Sequence, residues 1–140
     1  MQVREMMTKD PVCCTPETTL QEVARLMLKH NCGEIPVVKS LENRQLVGVI
    51  TDRDIACRGV ADGKDPMKTM ASQCMSSPPL TISAEATLED CCNAMEEHKV
   101  RRLPIVNEKG ECCGIVAQAD IARHAPKFEA AELVREVSRQ

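Results

Sequence analysis

The chain repeats itself, and that repeat limits the folds open to it. Met7 and Met75, Pro11 and Pro79, Thr19 and Thr87, Leu20 and Leu88, His30 and His98, and Pro36 and Pro104 are each separated by 68 positions. After Val106 the offset becomes 66, matching Gly48 to Gly114 and Asp54 to Asp120, as a two-residue shortening of one turn requires. Self-similarity at a fixed offset means one supersecondary unit used twice. With 140 residues the chain has enough material for one ordinary core.

Each copy reads as β-α-β-β-α, so the fold class is α+β. In the first copy Val12 to Thr15 is a short strand, and Thr19-Leu20-Gln21-Glu22 is a capping box that opens a helix. Leu20, Val23, Ala24, Met27 and Leu28 fall on one face of that helix, and Asn31 to Gly33 supplies its stop. Ile35-Pro36-Val37-Val38 is a strand whose proline suits an edge or a strand start. Gln45 to Thr51 is the next strand, and Asp52 to Arg58 the second helix. The second copy repeats this order from Leu80 to His124, and Met70 to Met75 reads as a short helical turn. The expected divisions are therefore repeat 1 over 1–60, a linker over 61–74, repeat 2 over 75–125 and a C-terminal helix over 126–140. In that last helix Leu133, Val134 and Val137 would face inward.

Composition excludes several classes of function. Charged residues make up 28% and hydrophobic residues 43%, as in an ordinary globular protein rather than a disordered one. A net charge of −3 argues against indiscriminate nucleic-acid binding through a basic surface. No apolar run is long enough to span a bilayer, and Met1-Gln2-Val3-Arg4-Glu5 lacks the core of a signal peptide. The expectation is a cytoplasmic protein with no membrane partner.

The richest stretch is Gly48-Val49-Ile50-Thr51-Asp52-Arg53-Asp54-Ile55, where a hydrophobic strand breaks into polar residues as a helix begins. A hydroxyl at Thr51 and the first amides of the helix suit a phosphate, and the Asp54 carboxylate suits a pair of sugar hydroxyls. Thr51 and Asp54 could equally be a plain helix cap, because both residue types are favoured there. The echo in the second copy is Gly114-Ile115-Val116-Ala117-Gln118-Ala119-Asp120-Ile121.

These two stretches, with Met6-Met7-Thr8-Lys9-Asp10-Pro11, Gly33-Glu34-Ile35-Pro36-Val37-Val38 and His98-Lys99-Val100-Arg101-Arg102-Leu103-Pro104-Ile105-Val106, resemble a pair of cystathionine beta-synthase (CBS) domains, together called a Bateman module. The resemblance covers nearly the whole chain. It implies two β-α-β-β-α repeats related by a pseudo-twofold axis, and usually a homodimer. It also implies adenosine-containing ligands (AMP, ADP, ATP, NAD or S-adenosylmethionine) in clefts built from both repeats, and a regulatory rather than catalytic role through an unidentified protein partner.

Carried onto this sequence, one cleft takes Val49, Thr51, Arg53 and Asp54 from the first repeat. From the second come Ser77, Thr81, Val100, Arg101 and Arg102, the arginines suited to phosphate through forked hydrogen bonds. Val49 and Val100 would flank the base, with backbone groups reading its edge. Arg101-Arg102 alone would read as a solvated pair. The other cleft is poorer: it keeps Asp120 but has Ala117 in place of the hydroxyl, and Gly33 and Glu34 where the arginines would stand. The expectation is one competent site and one degenerate site.

Nine cysteines remain to be explained. Cys14, Cys32, Cys74, Cys91, Cys92, Cys112 and Cys113 align with Ile82, Val100, Met6, Val23, Ala24, Leu46 and Val47, all apolar positions. Cysteine there serves as a small hydrophobe, and no Cys-x-x-Cys spacing occurs. Cys14, Cys91, Cys92 and Cys113 are expected to be largely buried, without disulfide or metal. His30 and His98 sit at equivalent helix ends, where the helix dipole suffices to explain them. No serine or cysteine has a persuasive histidine partner, so no catalytic residue is assigned. The expected ligand is an adenine nucleotide with no metal. The rival readings are an interaction module with empty clefts and a cysteine-based redox or metal protein.

Overall fold

The computed structural model describes residues 1–124. The expected C-terminal helix over 126–140 lies outside the described residues. In order the elements are β1 (Thr8–Lys9), α1 (Leu20–His30), β2 (Glu34–Val38), β3 (Leu46–Thr51), α2 (Asp52–Asp54), β4 (Ile82–Ser83), α3 (Leu88–His98), β5 (Arg102–Val106), β6 (Cys112–Ala117) and α4 (Gln118–His124). Helix α2 runs on as a π-helix over Ile55–Val60, so the second helix of the first repeat changes register in its middle. The Ala61 amide donates to the Ala56 carbonyl at 2.9 Å, five residues back, as a π-turn requires.

The chain divides into two compact units, and they interleave in sequence. One contains Met1–Asp10, Leu80–Glu108 and Cys113 onward; the other contains Pro11–Pro79 and Lys109–Cys112. In the first unit the sheet order is β1-β6-β5-β4. Strand β1 is antiparallel to β6, with Thr8 opposite Ile115, and β4 is parallel to β5, with Ile82 opposite Ile105. Its core holds Val3, Leu88, Cys91, Met95, Leu103, Ile105, Val116 and Ile121.

The other unit is built on the antiparallel β2-β3 pair, extended by single bridges from Val49 to Ser76 and from Cys14 to Val37. The expected strand over Val12 to Thr15 is thus reduced to one bridging residue. Its core holds Cys14, Leu20, Val23, Met27, Ile35, Val37, Ile50, Ala71 and Cys74. Burying each large aliphatic side chain contributes about 1.5–3 kcal/mol. Pro36 stands inside β2 opposite Val49 rather than at its start, and its carbonyl accepts from the Cys14 amide at 3.0 Å.

Local signals read from the sequence account for the ends of both long helices. Thr19 and Thr87 accept hydrogen bonds from the Glu22 and Asp90 amides, and Asn31 and Lys99 close the helices in left-handed conformations. On α1, however, only Leu20, Val23 and Met27 are buried, while Ala24 is exposed and Leu28 is 84% exposed. The expected turn at Met70 to Met75 is a 3-10 helix over Ala71–Gln73.

Gly48 and Gly114 show what the repeat preserves. A Cβ on Gly48 would come within 2.9 Å of the Ser76 carbonyl oxygen, and one on Gly114 within 3.1 Å of the Thr8 carbonyl oxygen. In each unit a segment distant in sequence lies across this strand position, so a side chain cannot be fitted there without moving backbone.

Candidate functional site

In the Pro11–Pro79 unit, β3 ends at Thr51, whose extended backbone makes it the N-cap of α2. The Asp54 amide donates to Thr51 Oγ1 at 3.0 Å, and the Thr51 amide donates to Asp54 Oδ2 at 2.9 Å. This is a reciprocal capping box, so the plain structural role of the two residues is present. Chemistry is left over all the same. The Thr51 hydroxyl accepts in this bond and keeps its own hydrogen to donate. Asp54 Oδ1 has Arg58 Nε at 3.9 Å, an ion pair too long to be a hydrogen bond.

The expected phosphate seat on the first helix amides needs correction. The Asp52 amide donates to the Gly33 carbonyl at 3.0 Å, the Arg53 amide to Asp52 Oδ1 at 2.8 Å, and the Asp54 amide to Thr51. All three are occupied within the protein. The Val49 backbone is occupied as well: its amide donates to Ser76 at 3.1 Å and its carbonyl accepts from Ser76 at 2.9 Å, so it does not offer these groups to a base.

The equivalent junction in the other unit is closed differently. The Ala117 amide donates to Asp120 Oδ2 at 2.8 Å, while Arg123 Nη2 donates to Asp120 Oδ1 at 2.5 Å. Both carboxylate oxygens of Asp120 therefore have protein partners. The Gln118 amide donates to the Arg101 carbonyl at 2.8 Å, the counterpart of the Asp52–Gly33 bond. Arg58 and Arg123 were not assigned from the sequence. The signal was there: spacings of four and three residues on a helix bring such side chains beside Asp54 and Asp120.

The remaining assigned residues are distributed between the units. Val49, Thr51, Arg53, Asp54 and Ser77 lie in one, where Arg53 and Ser77 are exposed and Ser77 Oγ donates to the Val47 carbonyl at 2.8 Å. Gly33 and Glu34 are buried in that same unit, and Glu34 is the direct strand partner of Thr51. Thr81, Val100, Arg101, Arg102, Ala117 and Asp120 lie in the other unit. There Thr81 and Arg101 are exposed, Arg102 is half-buried at the start of β5, and Val100 packs against the core.

The cysteines separate into distinct environments, and none forms a disulfide. Cys14 and Cys91 are buried, and burial pushes both thiols up to about 12. Cys92 and Cys113 are only half-buried, short of the expectation for them. Cys13 goes the other way: a hydrogen bond with the Cys112 side chain, and then the Arg44 charge, hold its thiol below the ordinary value.

The model of the CBS domain family matches residues 3–58 and 71–127. The chain belongs to the CBS domain family and carries two copies of the domain, a Bateman pair. Among its relatives, the CBS domain-containing protein YhcV of Bacillus subtilis is 41% identical over 129 residues, which span 92% of this chain and 89% of the relative. Hypoxic response protein 1 of Mycobacterium tuberculosis is 34% identical over 134 residues, spanning 96% of this chain and 92% of the relative. A crystal structure of Hypoxic Response Protein I with two coordinated zinc ions superposes with a TM-score of 0.81 at 36% identity, covering 90% of this chain and all (100%) of that one. CBSX2 of Arabidopsis thaliana in complex with AMP gives a TM-score of 0.77 at 25% identity, covering 91% and 98%.

The zinc-bound relative corrects one expectation. A nucleotide without any metal was expected, yet a homologue of this similarity coordinates two zinc ions. The expectation that no metal is involved is therefore withdrawn. Among the described residues no group of three or more His, Cys, Asp or Glu side chains is arranged to hold an ion, so no zinc ligands can be named from them. Among the described residues, too, no helix is long and apolar enough to cross a membrane.

Proposed function

We propose that this chain is a regulatory module that binds an adenosine-containing nucleotide (AMP, ADP, ATP or NAD) through Thr51 and Asp54 and passes the resulting change of conformation to a protein partner. The observation that carries this reading is the difference between two carboxylates. Among the described residues, Asp54 Oδ1 has no hydrogen-bonding contact closer than an arginine at 3.9 Å, whereas Asp120 Oδ1 is held by Arg123. Asp54 thus accepts from the ribose hydroxyls, and Thr51 donates its hydroxyl hydrogen to phosphate. Arg101 and Arg102 supply charge to the phosphate, with Arg53, Ser77, Thr81, Val49 and Val100 as the remaining contacts. The AMP complex of CBSX2 supports the ligand class. The role is regulatory and no reaction is ascribed to the chain.

A ligand of this kind acts by favouring one of two conformations, and it shifts their balance only by its difference in affinity for them. The module works as a homodimer. The apolar faces of the two second helices, with Ile55 and Ile121, are the interface the sequence suggests; Ile55 is half-buried in its own unit and contributes to it, whereas Ile121 is fully buried in its own core and does not. Light scattering across a range of concentrations tests the dimer, and a strictly monomeric mass refutes it.

Calorimetric titration with AMP, ADP, ATP, NAD, S-adenosylmethionine and zinc tests the ligand. The expected outcome is one adenine nucleotide per chain, bound about ten- to a hundredfold more weakly in Asp54→Ala and nearly unchanged in Asp120→Ala. The reverse pattern would reassign the site to Asp120. Zinc uptake without any nucleotide response would replace the nucleotide reading by a metal-responsive one.

A further inference from the structure

One cluster of reactive side chains uses none of the residues assigned to the nucleotide, and a single residue builds it. Arg44 holds two segments far apart in sequence. Its carbonyl accepts from the Cys112 amide at 3.0 Å, while its Nη2 donates to the Cys13 sulfur at 3.1 Å and to the Pro11 carbonyl at 3.0 Å. Flanking bonds pin both sides: Gln45 bridges Glu111, the Leu46 amide donates to the Gly110 carbonyl at 3.1 Å, and Cys14 is tied to Pro36 and Val38. The Cys112 side chain lies within hydrogen-bonding reach of Cys13. Two thiols and a guanidinium are thus fixed together inside one compact unit.

We propose that Cys13 and Cys112 are a reversible oxidation site, closing to a disulfide when the protein meets a peroxide, with Arg44 as the residue that positions and activates Cys13. A thiolate is the nucleophile in such chemistry, and a neighbouring cation favours it. Arg44 and the Cys112 thiol both stabilise negative charge on the Cys13 sulfur, whose thiol is held below its ordinary value. Cys14 and Cys91 are shifted the opposite way by burial, so these two thiols form the attacking thiolate less readily than Cys13.

The atoms balance as follows. The Cys13 thiolate attacks one peroxide oxygen, an S–O bond forms, and the O–O bond breaks. Hydroxide leaves and takes up the proton that Cys13 had released, giving water and a sulfenic acid at Cys13. The Cys112 sulfur then attacks the Cys13 sulfur, forming S–S and breaking S–O, and the oxygen departs with the Cys112 proton as a second water. Two thiols have lost two electrons to the peroxide, and a second thiol compound in excess returns them.

The test uses the full chain, reduced, desalted and exposed to equimolar hydrogen peroxide near neutral pH. The expected result is loss of two of the nine thiols, a Cys13–Cys112 cross-link in non-reducing peptide mapping, and full recovery with dithiothreitol. Cys112→Ser removes the resolving thiol, so Cys13 should accumulate as sulfenic acid and be trapped by dimedone. Arg44→Gln should slow oxidation of Cys13 by roughly three- to tenfold, since loss of a charge-assisted bond is partly offset by greater intrinsic nucleophilicity. If Cys13 and Cys112 both remain alkylatable while the exposed Cys57 is oxidised, the proposal fails; it fails equally if Cys13 is found linked to any other cysteine. The wild-type map and the Cys112→Ser trap do not depend on how well Arg44→Gln folds.

Discussion

The two strand-to-helix junctions occupy the same place in their repeats and keep the same aspartate, yet they leave different chemistry behind. At Thr51–Asp54 the cap takes one carboxylate oxygen and the acceptor face of a hydroxyl, leaving a donor hydrogen and Asp54 Oδ1. At Ala117–Asp120 the missing hydroxyl leaves less to offer, and Arg123 takes the oxygen that remains. One arginine one residue closer along the helix turns a loose ion pair at 3.9 Å into a hydrogen bond at 2.5 Å. A motif that caps a helix thus keeps polar atoms to offer a ligand only where the cap leaves them unused.

The sharpest way to break this contrast is Asp54→Ala. Removing an acceptor for the sugar should cost about 1.5–3 kcal/mol of nucleotide binding, roughly ten- to a hundredfold in affinity. Asp120→Ala should change affinity little in the same titration. Arg102→Ala should weaken nucleotides more than adenosine, because it acts on phosphate.

Next come the glycines, where the two junctions should behave alike. Gly48→Val and Gly114→Val should each destabilise the fold by about 1–3 kcal/mol, as overpacking against fixed neighbours does. Denaturant melts check this, and a silent substitution at either position would show that the crossing segment can move aside.

A smaller and opposite pair of effects should follow from exchanging the caps. Thr51→Ala should lose about 1 kcal/mol of stability, while Ala117→Thr should gain a similar amount by completing the reciprocal bond to Asp120. Equal signs in the two variants would mean that the second junction cannot accept a capping hydroxyl.

The smallest effect should come from Arg123→Ala. Its side chain is 68% exposed, so the ion pair with Asp120 should contribute under about 1 kcal/mol to stability. Combined with Ala117→Thr, it tests whether freeing Asp120 Oδ1 suffices for a second bound nucleotide in calorimetry. No second binding event would place the deficiency at Gly33 and Glu34 instead.

Much of this was legible in the sequence because it rests on local or periodic signals. The paired residues at constant offset gave the two β-α-β-β-α units. Thr19 and Thr87 marked the helix starts, and Asn31 marked the end of α1. The pairing of a hydroxyl and a carboxylate across Thr51 and Asp54, and its loss at Ala117, could be read residue by residue. The extent of the buried face on α1 could not: Leu28 fits the helical stripe, but whether anything covers it depends on neighbours from elsewhere in the chain.

By itself, then, the sequence determined the repeat, the long helix and following strand pair of each copy and the residue types at the two junctions, since these follow from backbone propensity and hydrophobic period. Only the tertiary structure decided which strand edges were satisfied by which distant segment. Thr8–Lys9 pairs with β6 of the second repeat, and Ser76 with β3 of the first, because an open edge needs hydrogen-bond partners that no local pattern specifies. The same long-range closure occupied the Asp52 amide at the start of α2, turned the backbone of Val49 to Ser76 and brought Cys112 to Cys13 beside Arg44. Those are matters of where the chain returns in space, and the 98 positions between the two cysteines carry no trace of it.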